Sequence, residues 1–277
     1  MGKHKLHMTS KSSKKKKLTK NKKPTKKKVT KKKIKIIDVP LSKGLSEGSK
    51  ATLGYINYHY QKYYNTFTFI KEIISRNKKL QKQICIPDIG KGWMLSFLKA
   101  EISSKSVKSI KPVDSAVSER IFMKEIKRCM KKQLVPINFE IIVPLVGTHA
   151  NIIIIDTKQK TIELFEPHGN RGKNSELESI SEAYLKVSKK IQRFFKQHFP
   201  TYTYIPPSKF EPKHGLQGRL DFFSGLCVTW SILYLHYRLL NPDVNPKTLV
   251  SHIDKKMNKT KLLQYTRYVE DILKHKI

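Results

Sequence analysis

The stretch His149-Ala150-Asn151-Ile152-Ile153-Ile154-Ile155-Asp156-Thr157-Lys158-Gln159-Lys160-Thr161-Ile162-Glu163-Leu164-Phe165-Glu166 holds two strand patterns joined by a polar turn. Its first half is almost entirely β-branched and its second alternates in part, as strands do. An unbroken isoleucine run implies a strand buried on both faces. If Thr157-Lys158 is a two-residue turn, Asp156 pairs with Gln159 and His149 comes to lie opposite Glu166 on the same face. A looser turn makes the two residues diagonal neighbours, still within reach. The 17-residue interval thus places a carboxylate where it can fix an imidazole's tautomer and support its protonated form.

Outward from this hairpin, residues 137–145 and 201–205 also read as strands. Residues 175–198 form an amphipathic helix with Leu177, Ile180, Tyr184, Val187, Ile191 and Phe194 on one face, stopped before Pro200. Residues 225–240 make an apolar helix ended by Asn241-Pro242. Asn245-Pro246 opens another as cap and first helical residue, and residues 260–275 close the chain as a helix. Towards the N-terminus, helix-like spacing over 68–81, 92–100 and 115–133 predicts a mainly helical region. The aromatic stretch from Tyr55 to Phe69 reads as core rather than as a base-stacking platform. The expected fold class is α+β, a central mixed sheet with helices on both sides.

The composition adds a strongly basic balance, +36 overall, with 17 lysines and no carboxylate in residues 1–37. That run cannot bury enough apolar surface to offset its ordering entropy, so residues 1–37 are expected to be a disordered tail. Residues 38–50 read as a linker, 51–135 as the helical first part of the folded domain, and 136–277 as its core with the C-terminal helices. The charge favours polyanionic partners, and nucleic acid is the partner expected of the lysine-rich tail. No apolar run approaches the roughly 20 residues a membrane helix needs, and no signal-peptide core is present. Neither membrane association nor secretion is expected. The three cysteines, Cys85, Cys129 and Cys227, make no disulfide framework or zinc pattern, so reduced thiols and no metal are expected.

Cys227 differs from the other two by following Gly225 at the start of an apolar helix. A thiol there feels the positive end of the helix dipole, which favours the thiolate. With His149 as base and Glu166 as its orienting acid, Cys227 becomes a candidate nucleophile. Gln217, in the loop before it, is a candidate oxyanion donor together with the Cys227 backbone N–H. His168 and His214 are alternatives to His149, and Asp156 to Glu166, although Asp156 is better explained as a turn residue. Asp221 has no evident role.

The order of a histidine beginning a strand, an acid ending the next, a glutamine, and a cysteine opening a helix resembles the adenain and SUMO-specific cysteine peptidase superfamily. The similarity covers about residues 136–240, and its histidine-to-acid interval matches. Phe165-Glu166-Pro167-His168-Gly169, Cys227-Val228-Thr229-Trp230 and Leu239-Leu240-Asn241-Pro242 look more narrowly like thiol proteases of giant DNA viruses such as mimiviruses. The resemblance implies an adenain-like peptidase fold and a protein substrate. It also implies virion-protein maturation or ubiquitin-like modifier removal, in a virion or in host cytoplasm or nucleus. No cofactor is implied beyond DNA as an activator. Two departures stand out: Ala150 replaces the tryptophan many members carry beside the histidine, and Gln217 lies ten residues before the cysteine rather than six or seven. The alternative from a different class is a catalytically inert, basic nucleic-acid-binding or virion core protein.

Overall fold

The structure, a computed structural model, describes residues 35–44, 66–88, 98–102, 107–112, 118–143, 147–169, 178–212, 214–220 and 226–274. The lysine-rich run to residue 34, the aromatic residues 55–65 and Ser224-Gly225 lie outside the described residues. Those described fall in one compact unit, Lys35–Ile277.

Its elements are α1 (Thr66–Ser75), α2 (Lys78–Gln83), β1 (Leu98–Ile102), β2 (Val107–Pro112), α3 (Glu119–Cys129), β3 (Leu134–Val143), β4 (Gly147–Asp156) and β5 (Thr161–Phe165). There follow α4 (Glu178–His198), β6 (Thr203–Ile205), a short 3-10 turn (Pro207–Lys209), α5 (Gly215–Leu220), α6 (Cys227–Leu240), α7 (Pro246–Lys256) and α8 (Lys259–Lys274). The six strands run in the order β2-β1-β3-β4-β5-β6. β1 with β3 and β5 with β6 are parallel, and the other pairs are antiparallel. The fold is α+β, a mixed sheet with helices on both faces.

The isoleucine run of β4 shows why both faces are covered. Successive side chains alternate across a strand, so Ile152 and Ile154 enter one core with Phe165 and helices α6, α7 and α8. Ile153 and Ile155 enter the other, with Phe122 and Ile126 of α3 and Val187 and Ile191 of α4. All four isoleucines are fully buried, each contributing about 2 kcal/mol of apolar burial. On the first face α6 is the central helix: every residue from Cys227 to Leu239 is buried, the polar Thr229, Ser231, His236 and Arg238 among them.

Three local expectations are corrected. Leu98–Ile102, at the end of the stretch read as helix, is a strand, because it pairs with β3 and with β2, which sequence spacing did not reveal. Gln217 stands on helix α5 rather than in a loop. Cys85 and Cys129 are joined in a disulfide, not reduced. The bridge between Ile84 and Leu134 lays Cys85 along β3, while Cys129 ends α3 in the core beneath it, a meeting no local pattern encodes. A bond closing a separation of 44 residues is worth about 4 kcal/mol in the chain-entropy model. Reduction, or Cys129→Ala, is therefore expected to lower the unfolding free energy by about 2 to 4 kcal/mol, read from urea transitions with and without reductant.

Residues 35–44 form an extended segment held by the C-terminal helices. Asn241 accepts the Ile37 N–H at 2.7 Å and donates to the Ile37 carbonyl at 2.8 Å. Asp38 lies 2.5 Å from His252 Nε2 and 3.5 Å from Lys256 Nζ, and Ser42 donates to Asp271. No described helix is long and apolar enough to cross a membrane.

Candidate active site

β4 carries His149 near its start, and β5 ends one residue before Glu166. The connecting turn spans four residues, 157–160, with Lys160 at φ 52°, so Asp156 pairs with Thr161 instead of Gln159. The register is therefore two residues away from that of a two-residue turn. A shift of two preserves the face, since side chains repeat with period two. His149 and Glu166 become diagonal neighbours, and His149 Nε2 lies 2.5 Å from Glu166 Oε1. Both side chains are buried.

Cys227 reaches the same imidazole from the other core layer. It is the first residue of α6, where backbone N–H groups lack intrahelical partners and the dipole favours negative charge. The thiol is hydrogen bonded to His149 and to the backbone N–H of Ala150. It stands outside the Cys85–Cys129 disulfide and is buried. Ser231, one turn further along α6, donates to the Ala150 carbonyl at 3.2 Å and so fastens the helix to β4 beside the site.

The electrostatics favour a charged pair. Burial pushes the His149 imidazole down, but the Glu166 carboxylate and the Cys227 thiolate outweigh it and raise the imidazole to about 10. Burial pushes the Cys227 thiol up, yet the His149 imidazolium and the Ala150 N–H bring it below its ordinary value, with Glu166 opposing. The arrangement thus favours a thiolate beside an imidazolium.

A tight turn joins the acid to Gln217. Glu166 Oε1 also accepts the His168 N–H at 2.9 Å, and the Glu166 carbonyl accepts the Gly169 N–H at 2.7 Å. The His168 ring lies over His149 with centroids 4.8 Å apart. Pro167 O accepts the Gln217 N–H at 2.9 Å, docking α5 against this turn. Contact there is backbone to backbone: a Cβ on Gly215 would stand 2.3 Å from Gly169 N, and both glycines have positive φ. The Gln217 side chain is fully buried, and its Oε1 and Nε2 have no hydrogen-bond partner among the described residues.

Of the alternatives, Asp156 accepts the Gln159 N–H at 2.9 Å as a turn residue, and His214 is exposed. Cys85 and Cys129 are consumed by their disulfide, and Asp221 lies outside the described residues. Sequence reasoning missed Glu211, a buried carboxyl that accepts the Glu166 N–H at 2.9 Å. In Phe210-Glu211-Pro212-Lys213 it looks like any solvated loop charge, and no periodicity marks it. Among the described residues no group of three or more His, Cys, Asp or Glu side chains is placed to hold a metal ion.

No protein-family model matches the chain. A sequence match, 28% identical over 172 residues, covers 50% of this chain and 22% of a protein of Acanthamoeba polyphaga mimivirus named for ankyrin repeats. That protein carries an ankyrin-repeat name, so the match lends no support to the narrower resemblance to giant-virus thiol proteases. Among solved structures, the Chlamydia trachomatis effector ChlaDUB1 is similar at 14% identity and a TM-score of 0.36, over 59% of this chain and 65% of that one. The C. trachomatis effector Cdu1 bound to ubiquitin gives 13% and 0.35, over 55% and 67%. The SUMO protease Ulp1, with its catalytic cysteine oxidised to a sulfenic acid, gives 14% and 0.35, over 58% and 64%. The chain thus spans about a fifth of the mimivirus protein and under two thirds of ChlaDUB1. At such scores the likeness says nothing about chemistry, which rests on the side chains described above.

Proposed function

We propose that this chain is a thiol hydrolase cleaving peptide or isopeptide bonds of protein substrates, with Cys227 as nucleophile, His149 as acid and base, and Glu166 as the group that orients His149. The observation that carries the reading is the buried relay in which one imidazole meets a carboxylate on one side and a helix-start thiol on the other. In the first step the Cys227 sulfur bonds to the carbonyl carbon, and the bond to nitrogen breaks as His149 gives its proton to the leaving amine. Neutral His149 then takes a proton from water, which attacks the thioester and releases the acid, restoring the thiolate and imidazolium. Gln217 Nε2, buried and without a partner among the described residues, supports an oxyanion role beside the Cys227 N–H, since a donor left unsatisfied in the free enzyme gains its bond when the oxyanion forms.

The test begins with the thiol. A free thiol alkylates with a midpoint near about pH 8.5. Here the Cys227 thiol is lowered and His149 raised to about 10, so iodoacetamide modification of Cys227 is expected to keep its rate well below pH 8. The acid-competent imidazolium is lost only as pH rises through about 10. Ubiquitin and SUMO ending in a thiol-directed electrophile then test modifier removal, with peptide electrophiles as the arm for other proteins. Adding duplex DNA to the same sample tests whether the +36 charge couples polyanion binding to activity. If Cys227 alkylates like an ordinary thiol and traps no electrophile, the chain is an inert basic protein and the hydrolase reading fails.

A further inference from the structure

We infer that Glu211 is a positioning residue that sets the aim of Glu166 at His149 by capturing the Glu166 backbone N–H. That N–H lies one residue beyond the end of β5. Pairing with β4 ends at Phe165, and pairing with β6 reaches only Glu163, so neither strand supplies an acceptor. Glu211 Oε1 takes the bond at 2.9 Å and extends the ladder by one rung at the residue whose side chain meets the imidazole. The next atoms along the chain are equally constrained: the Glu166 carbonyl holds Gly169 N–H, and Pro167 O holds Gln217 N–H. Releasing the Glu166 N–H would free the near end of this turn, and with it the carboxylate's position.

The surroundings of Glu211 decide its charge. Glu166 and Glu163 approach from the β5 side, Tyr204 from β6 and Tyr234 from α6. Arg238 is engaged by Glu163 rather than by Glu211. Burial, then the two neighbouring carboxylates, hold Glu211 well above the usual carboxylate range against the one bond from Glu166 N–H. Glu211 is therefore held toward its neutral form. What it supplies to Glu166 is one acceptor oxygen, which an amide can also supply.

The inference builds on the hydrolase reading for its rate arm only; the other arm is the NMR titration of the His149 ring, which needs no substrate. In Glu211→Met, which keeps bulk but removes the acceptor, His149 is expected to titrate about one unit or more below wild type. Turnover is expected to fall on the order of a hundredfold at unchanged KM. Glu211→Gln, whose amide oxygen can accept the same N–H, is expected to match wild type in both. If Glu211→Met does not fold, Glu211→Asp, one methylene too short to reach, gives the same readout. An unmoved His149 titration in the acceptor-deficient variant overturns the inference, as does a Glu211→Gln titration displaced like that of Glu211→Met. Wild-type His149 titrating at its ordinary value would instead remove the hydrolase reading itself.

Discussion

Cys227→Ser is expected to abolish the proposed hydrolysis and electrophile capture, by at least about 10⁴-fold in kcat, while leaving the unfolding transition nearly in place. The two outcomes separate because they draw on different properties of one atom. Sulfur and oxygen are close enough in size that α6 keeps its packing against β4, and a serine hydroxyl can still accept the Ala150 N–H. What the hydroxyl cannot do is ionise beside His149. The relay lowers a thiol that already ionises near neutral pH, whereas an alcohol starts many units higher. Serine would therefore be un-ionised over the whole range in which His149 carries its proton. Comparing electrophile adducts by mass spectrometry with urea unfolding of the same preparation measures both. A serine variant that still forms adducts would show that another residue is modified. The Cys85–Cys129 bond leaves no competing thiol among the described residues.

Arg238→Ala is expected to lower the unfolding free energy by about 3 to 5 kcal/mol at pH 7, the largest stability effect of any single substitution considered. The guanidinium lies beneath the hairpin, fully buried near the end of α6. Its Nε is 2.6 Å from Glu163 Oε1 and its Nη2 3.5 Å from Asp156 Oδ2. Nη1 donates to the carbonyls of Pro242 at 3.0 Å and Asn241 at 3.2 Å, closing the turn after the helix. Tyr234 donates to the same Glu163 oxygen at 3.2 Å. Removing the cation leaves two buried carboxylates facing each other and the carbonyls of Asn241, Pro242 and Val244 without their donor.

The pH dependence follows from Glu163. Burial holds it above its ordinary value even with Arg238 pulling it down, so without Arg238 it rises further. A carboxyl raised in the folded state takes up its proton on mild acidification and sheds the charge that destabilises the variant. The deficit is therefore expected to shrink between pH 7 and pH 5, measured by urea unfolding at both. A deficit independent of pH would mean that lost packing, not the uncompensated carboxylates, dominates.

The same hairpin shows how far local sequence reaches. That His149 and Glu166 share a face was legible, because strand parity survives a shift of two residues. The register itself was not, because a four-residue turn with Lys160 in the left-handed region looks in sequence like any polar stretch. The double-sided burial of β4 and the placing of Cys227 at a helix start were likewise legible, since an isoleucine run and a glycine before an apolar helix are signals carried by adjacent residues.

What the sequence determined by itself was the local periodicity: the two strands that carry the histidine and the acid, the helix that begins at the cysteine, and the face each presents. Tertiary structure alone decided the partners that meet across long separations. Glu211 on Glu166, Arg238 on Glu163 and Cys85 on Cys129 lie 45, 75 and 44 residues apart. The physical reason is that periodicity constrains neighbours within a turn or a strand. A buried charge, thiol or backbone N–H is instead satisfied by whatever side chain the packing of sheet and helices brings within about 3 Å.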